Sequence, residues 1–535
     1  MIPGSANPLL LAADAAAGAY SIPRSVRLNA PDSAYFSKTF ASSGDRKKWT
    51  WSAWIKRSNL TDTANGLLQW GPDGSNQFRL HLNSDGTLTI MDRVSATYTT
   101  YITTTQVFRD PGAWLHLLIA WDTAQVTAAN RVALFINGVK VTTFSGGPTY
   151  PSQDYASGNI NTASSSFIGR GDTTSVYYYS GYIADAWFVD GAVPTTTTRT
   201  VNGVTETILS DFGEFDATTG VWNPKAYTGS ASGNSYHLTF EDNSNNTATT
   251  LGKDTSGNGN NWTPNNLSVT AGAGNDSLKD SPTNGTASSG GDAGGVVVGN
   301  YCTWNAVDNG GVTLSNGNLD AVTSTTWKAV RGTIGISSGK WYWEYTMTAA
   351  GYTMLGMTGA AAALNTYAGV SSTGYAFYSV GGSSSKWNNN TSASYGNSFT
   401  TNDVIGVAFD ADNGKIWFSK NGTWQASGDP AAGTNAAYSS IPSGTYFPTV
   451  SQDNSAGTTG GSTNFGARPF QTAAPAGFKS LNTANLPTPP ILAGNTAFDT
   501  KLYTGNGSTQ TISGLGFNPD LVWIKSRSNA YDHGL

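Results

Sequence analysis

In the stretch "KIWFSKNGTW" (415–424), Ile416 and Phe418 fall on one side of an extended chain, and Trp417 and Ser419 on the other. Alternation with period two predicts a strand rather than a helix. Asn421-Gly422 supplies the two positive-φ residues that a tight type I′ hairpin requires. Just upstream, "VIGVAFDADNGK" adds a strand from Val404 to Phe409 that closes on another Asn-Gly at 413–414. The region therefore reads as a three-stranded antiparallel meander.

The same patterning fills two long blocks. In "WTWSAWIKR" (49–57), Trp49, Trp51, Ala53 and Ile55 alternate with Thr50, Ser52, Trp54 and Lys56, so both faces carry bulk. "WLHLLIAWDT" (114–123) is almost continuously apolar, as a strand covered on both faces would be. "RVALFINGVKVTTF" (131–144) is a hairpin over Asn137-Gly138, and "SFIGR" (166–170) and "YYYSGYIADAWFVDGAV" (177–193) add two further strands. Short strands separated by turn residues predict a two-sheet sandwich. The second block, from about Val296 to Leu481, holds "SGKWYWEYTM" (338–347), the meander, "YFPTVS" (446–451) and "NFGARPF" (464–470).

Composition sharpens this picture. Glutamate occurs only at Glu206, Glu214, Glu241 and Glu344, while glycine numbers 63 and tyrosine 24. Helix surfaces favour Glu and turns favour Asp, Asn and Gly, so the chain reads as all-β with helix below about a tenth. At 535 residues it exceeds one core, and about 150 residues per domain suggests three or four modules. The net charge of −5 leaves no basic stripe for nucleic acid, and Arg46-Lys47-Lys48 reads as a solvated loop. Cys302 is the single cysteine, which excludes an internal disulfide and a cysteine-based metal cluster. No apolar run reaches the length of a membrane-spanning helix. The opening "MIPGSANPLLLAADAAAGAY" lacks a basic leader and is broken by Asp14, so it does not read as an export signal.

These features divide the chain. Residues 1–24 read as an arm, 25–263 as a first sandwich (core 25–195, with 196–263 as added edge strands), and 264–295 as a Gly/Ser/Thr/Asn linker. Residues 296–481 read as a second sandwich and 482–495 as a Pro-rich linker. Residues 496–535 read as the start of a third β module or a tail.

The order "WTWSAWIKR", "AWLHLLIAWD", "VALFINGVKV", "FIGR", "GYIADAWFVDG" resembles the laminin G-like, concanavalin A-type jelly roll. The second block resembles a SPRY domain, which carries a "GkWYWEv" strand, a "GvafD…g.i.f.kNG.w" meander and a late "pavs…nFG..pF" strand pair in this order. The resemblance implies that the meander's aromatics are mainly core.

Catalytic chemistry is sparse. The histidines are His81, His116, His237 and His533, and His116 lies within an apolar strand, where a packed core role suits it better than that of a base. No His-Glu-x-x-His helix or phosphate-binding loop occurs, and Gly335-Ile336-Ser337-Ser338-Gly339, which has the Gly-x-Ser-x-Gly spacing, is followed by the strand pattern "KWYWEYTM" rather than a helix, so it does not read as a nucleophile elbow. The glutamates do not pair along one strand as jelly-roll glucanases require, and "DFGEFD" gathers Asp211, Glu214 and Asp216 only among turn residues. The expectation is therefore a non-enzyme without a cofactor. "DADNG" (410–414) and "DTSGNGNN" (254–261) lack the carboxylate count and closing Glu of an EF-hand. The laminin G-like resemblance leaves calcium at the sandwich rim open.

What remains is binding, in which aromatic faces hold sugar rings and amides meet hydroxyls. The second block offers Trp387, Asn388 and Asn389 in "KWNNN", together with Tyr352, Tyr367 and Tyr395. The first block offers Tyr98, Tyr101, Tyr150 and Tyr155. The combination resembles large structural proteins of tailed bacteriophages, and "RSVRLNAPDSAYFSKTFASSGDRKKWTWSAWIKRS" resembles the start of such virion proteins. That resemblance implies a tail fibre, spike or capsid-decorating adhesin. It would be assembled in the host cytoplasm, displayed on the particle surface, and bound to host-surface glycan without catalysis or membrane insertion. The arm, with Ile2, Leu9, Leu10 and Leu11, would contact other virion proteins, and the chain would form a homo-oligomer such as a trimer. A glycan-degrading enzyme and a ligand-free scaffold are the competing readings.

Overall fold

The computed structural model describes residues 20–61, 65–171, 177–201, 204–380, 382–455, 457–526 and 529–535. It is 42% strand and 3% helical, and its named helices are all short 3-10 turns. Every ladder between named strands is antiparallel, as expected of an all-β chain.

Among the described residues the first sandwich pairs a ten-stranded with an eight-stranded sheet. Lys48–Arg57 is central in the larger sheet, between Leu115–Asp122 and Gly181–Asp190. Its alternation now has a physical account. Trp49, Trp51, Ala53 and Ile55 enter the core between the sheets, with Trp49 stacked on Trp121 at 5.3 Å. Trp54, on the other face, belongs to one continuous cluster with Trp114, Tyr182, Tyr301, Trp304 and Trp343, which reaches into the second sandwich. The larger sheet is thus covered on both faces. The added strands Thr196–Val201, Val204–Leu209, Tyr236–Leu238 and Thr263–Asn265 complete this sandwich.

Among the described residues the second sandwich pairs two seven-stranded sheets. One carries the meander, Lys340–Ala349, Val404–Asp410, Lys415–Lys420 and Thr423–Trp424 in neighbouring positions. Asn421 and Gly422, at φ 48° and 81°, form the two-residue turn that the sequence predicts. The Asn413-Gly414 connection differs. It holds four residues between paired Asp410 and Lys415, and the Asp410 carboxylate accepts from the Asn413 N–H at 3.0 Å. Ile416 and Phe418 face the sandwich core. Trp417 is buried on the opposite side against Tyr342, Phe470 and Phe478, and its indole donates to the Thr434 carbonyl at 2.7 Å.

The stretch 264–295 is not a free linker. Thr263–Asn265 pairs with Tyr35–Ser37, and Ser277–Leu278 pairs with Ser25–Val26. Asp276 ion-pairs with the buried Arg27 at 3.0 Å, and the Asp292 carboxylate accepts from the Ser480 N–H at 3.0 Å. Asn275, Asp276, Ser277, Asp280, Ser281, Thr283 and Asp292 are buried, whereas Asn266, Thr270, Thr286 and Ser289 are exposed, a distinction composition does not record. Residues 482–486 of the expected second linker are likewise packed, with Asn482 and Asn485 buried. Residues 1–19 of the arm lie outside the described residues, but Tyr20 donates to Asp185 at 2.7 Å, and buried Ile22 is held through its backbone by Ser281 and Thr283. The described residues of 496–535 form no named strand, and Leu502, Leu521, Trp523 and Leu535 are exposed.

The two sandwiches meet at Lys56. Its ammonium donates to Asp280 at 2.8 Å, to the Asn300 side chain at 2.8 Å and to the Tyr301 carbonyl at 2.9 Å, so all three N–H bonds are used. Both charged side chains are essentially inaccessible, at 0% and 1% exposure. The Trp114 indole and the Tyr301 N–H donate to the other oxygen of Asp280. Tyr182 reaches the Gly317 carbonyl at 2.7 Å, and Asn318 reaches the Ser58 carbonyl at 3.0 Å.

Two expected outcomes follow from this burial. Lys56→Met leaves Asp280 buried without its cation and should lower stability by about 3–5 kcal/mol, read from the urea midpoint. An unchanged midpoint would show the pair to be dispensable. Second, burial pushes the carboxyls of Asp92, Asp276, Asp320 and Glu344 above their ordinary values of 3.8 and 4.5. The folded state then binds more protons than the unfolded state, so stability rises as pH falls through these raised values. Below about 3.8 the sign reverses, because hydrogen bonds hold Asp85 and Asp216 below their ordinary value. Burial lowers the imidazoles of His81 and His116 to about 3 and 4, so between pH 7 and pH 5 only the unfolded chain takes up their protons, which opposes the gain from the carboxyls. The urea midpoint of wild type relative to that of Glu344→Gln should therefore rise from pH 7 to about pH 5, and wild type should itself drop near pH 3; a falling difference contradicts this.

Candidate functional site

The catalytic candidates do not converge. His116 is buried between Ser52, 2.8 Å from its Nε2, and the Trp222 indole, which donates to its Nδ1 at 3.2 Å. Burial lowers its pKa to about 4, so it is a neutral core residue. The three acids of "DFGEFD" serve separate partners. Asp211 accepts from the Thr195 N–H, Glu214 lies 3.8 Å from Lys225, and Asp216 accepts from the Thr218 and Thr219 N–H groups. Asp254 is occupied by its own loop, taking N–H groups of His237, Ser256 and Asn260. No cluster of three potential metal ligands occurs among the described residues.

Aromatic rings do converge. Tyr352 and Tyr378 lie on neighbouring strands, Tyr352–Gly359 and Gly374–Val380, and Trp387 lies on the next, Ser383–Asn388. In these strands Leu355 and Phe377 point into the sandwich core, so the alternation turns Tyr352, Tyr378 and Trp387 outward. The loop carrying Tyr367 crosses this face so closely that a Cβ on Gly369 would lie 2.4 Å from the Trp387 Cβ. Trp327 closes the group from the adjacent edge. Ring centroids are 5.4 Å for Trp327–Tyr367, 6.1 Å for Trp327–Tyr378, 6.2 Å for Tyr352–Tyr378, 5.5 Å for Tyr367–Trp387 and 6.3 Å for Tyr378–Trp387. The rings are half-buried, which leaves apolar faces and hydroxyls at the surface. Burial, with Tyr352 and Asp453 nearby, pushes the Tyr378 phenol up to about 12, so it stays protonated as a donor at neutral pH.

The structure thus unites Trp387, Tyr352 and Tyr367 and adds Trp327 and Tyr378. Tyr378 was legible in the alternation of "GYAFYSV", whereas Trp327 stands just before its strand and carried no periodic signal. The amides of "KWNNN" have a local explanation instead. Asn389 and Asn390, at φ 50° and 56°, form a hairpin turn, Asn388 donates to the Ser372 and Gly374 carbonyls, and Asn390 accepts from the Tyr367 hydroxyl. Trp387 is packed at the edge of the ring cluster rather than isolated, and its indole donates to Ser385 at 2.8 Å. Tyr395 is a core residue, buried against Phe377 and Phe418. In the first sandwich Tyr150 and Tyr155 pack against the core, Tyr155 donating to buried Asp92 at 3.0 Å, whereas Tyr98 and Tyr101 are exposed.

Family models match three separate stretches. Residues 32–197 match the concanavalin A-like lectin/glucanases superfamily, 340–468 the SPRY domain, and 494–535 a domain of unknown function, DUF7483. The chain carries a concanavalin A-like domain followed by a SPRY domain. Four of the clustered rings lie within the SPRY match, and Trp327 precedes it. The chain is 35% identical over 96 residues to the ATP-dependent RNA helicase DDX1 of Xenopus laevis; this spans 18% of the chain and only 12% of that protein's length. Similar solved structures include the SPRY domain of human HERC1, at 16% identity and TM-score 0.24, covering 30% of this chain and 96% of that one. Another is the native heptameric SAP-like pentraxin from Limulus polyphemus, at 17% identity and TM-score 0.25, covering 33% of this chain and 80% of that one.

Proposed function

We propose that the protein is a non-catalytic carbohydrate-binding adhesin of a bacteriophage particle, of the tail fibre, spike or capsid-decorating type. The observation carrying the binding part is the outward cluster of Trp327, Tyr352, Tyr367, Tyr378 and Trp387, spread over three neighbouring strands and a crossing loop. Half-buried rings on a rigid sheet offer flat apolar faces at low conformational cost, and tyrosine hydroxyls at their rim can donate to sugar oxygens. Asp453, which lies near Tyr378, already accepts from the Trp327 and Ser455 N–H groups. The resemblance of the opening block and of the domain combination to phage structural proteins supports the particle assignment.

Incubation with host-surface polysaccharide should retain ligand without generating new reducing ends. Tyr352→Ala should weaken that binding by about 1–3 kcal/mol with little loss of stability. Trp387→Ala should weaken binding and also lower the melting temperature, since its ring packs on Tyr367 and Tyr378. Release of oligosaccharide would make the protein a glycan-degrading enzyme, and equal binding by both variants would remove the ring cluster from recognition. Labelled protein should decorate intact phage particles; its absence from them would overturn the particle assignment.

A further inference from the structure

The eight-stranded sheet of the first sandwich has an outward face that plays no part in the ring cluster. Phe78, Leu80 and Ile90 point into the core, so Arg79, Met91 and Arg93 point outward, in register with Tyr101 and Tyr98 on the next strand. Phe167 continues the row at the far side, and Arg170 follows it. Arg170 itself lies on the short strand Arg170–Gly171, which pairs with Tyr177–Tyr178 beside the eight-stranded sheet.

Among the described residues neither arginine faces an anion. The Arg93 guanidinium lies 5.3 Å from the centre of the Tyr98 ring, and its one hydrogen bond runs to the Gly74 carbonyl at 3.1 Å. Arg170 sits between Phe167, at 4.6 Å, and Tyr35, at 5.1 Å. Neither forms an ion pair among the described residues, and the buried Nε of each has no hydrogen-bond partner. Elsewhere in the protein half-buried or buried cations such as Arg27, Lys56, Arg199 and Arg331 do face carboxylates. Beside Arg93, Tyr98 and Tyr101 are 45% and 43% exposed, with ring centroids 4.9 Å apart. Solvent-exposed aromatic pairs beside an uncompensated guanidinium combine a stacking face with an anion seat.

We propose that this face binds an acidic polysaccharide, with anionic sugar groups seated on Arg93 and Arg170 and sugar rings on Tyr98 and Tyr101. Two guanidiniums on separate strands suit a polymer with repeated anionic groups rather than one small anion. A nucleic acid fits less well: duplex DNA carries one charge per about 1.7 Å of axis, which demands a denser cationic track than a chain of net charge −5 provides. This site is separate from the ring cluster on the SPRY domain and does not rest on it.

The test measures retention of the full chain on immobilised alginate (carboxylated), dextran sulfate (sulfated), neutral dextran and single-stranded DNA at low salt. Wild type should bind at least one acidic polysaccharide, with affinity falling as salt rises, and should ignore neutral dextran at this face. The double variant Arg93→Gln with Arg170→Gln should lose about tenfold in that affinity while keeping its near-UV circular dichroism, and Tyr352→Ala should bind acidic polysaccharide as wild type does. Preference for alginate or for dextran sulfate identifies the anion as carboxylate or sulfate. Equal retention of wild type and double variant, no retention of either acidic polymer, or tighter binding to DNA than to both would overturn the proposal. If the double variant loses its native dichroism, Tyr98→Ala with Tyr101→Ala decides: the same loss of acidic-polysaccharide binding sustains the site, and unchanged binding refutes it.

Discussion

A lysine ammonium and an aspartate carboxylate removed from water must satisfy one another almost completely, because each alone would cost several kcal/mol to bury. Lys56 and Asp280 meet that condition by recruiting Asn300, the Tyr301 backbone and Trp114. The pair ties the central strand of one sandwich to a segment that leads directly into the other. It sets the constraint for its surroundings. The outer face of the ten-stranded sheet must be covered, so Trp54 and Tyr182 pack there, and residues 277–283 must lie down along the junction rather than loop into solvent. Ile22 is then captured between this segment and the sheet.

With the ten-stranded sheet covered on both sides and the meander sheet covered over Trp417 and Tyr342, surfaces left open include the outer faces of the eight-stranded sheet and of the sheet that carries Tyr352–Gly359. On the SPRY domain that face gathers five aromatic rings under a crossing loop, beside Asp453 and the Arg331–Asp308 ion pair. On the concanavalin A-like domain it carries guanidiniums beside exposed tyrosines. The two faces differ in chemistry, one offering stacking and hydroxyls and the other adding positive charge without a carboxylate to neutralise it. Two such surfaces on one chain would let it engage a heterogeneous polysaccharide at more than one point, which raises avidity without tightening either contact.

Alternation, Asn-Gly turns and the scarcity of glutamate were enough to specify two antiparallel sandwiches and the meander at 404–424. These signals are local, and strand pairing across a two-residue turn depends on little else. Tyr352, Tyr367 and Trp387 were legible as aromatics outside the densest strands, but not as neighbours, since 35 residues separate the first from the last. Tyr395 looked equivalent in sequence and is core. The amides around Trp387 suggested recognition and turned out to build a hairpin turn, because Asn tolerates the left-handed conformation that such a turn needs.

By itself, then, the sequence determined the all-β class, the sandwich blocks and the identity of the residues able to recognise a ligand, because period-two patterning and turn chemistry act within a few residues. Tertiary structure alone decided which polar stretches are linkers and which are buried seams. Asp276, Asp280 and Asp292 have the composition of a solvated loop, yet they lie opposite Arg27, Lys56 and Ser480, from about 190 to 250 residues away in the chain. It also decided which tyrosines meet and which arginines go without an anion. Those outcomes depend on which faces of which sheets remain uncovered after the two sandwiches have packed, and no local pattern encodes that.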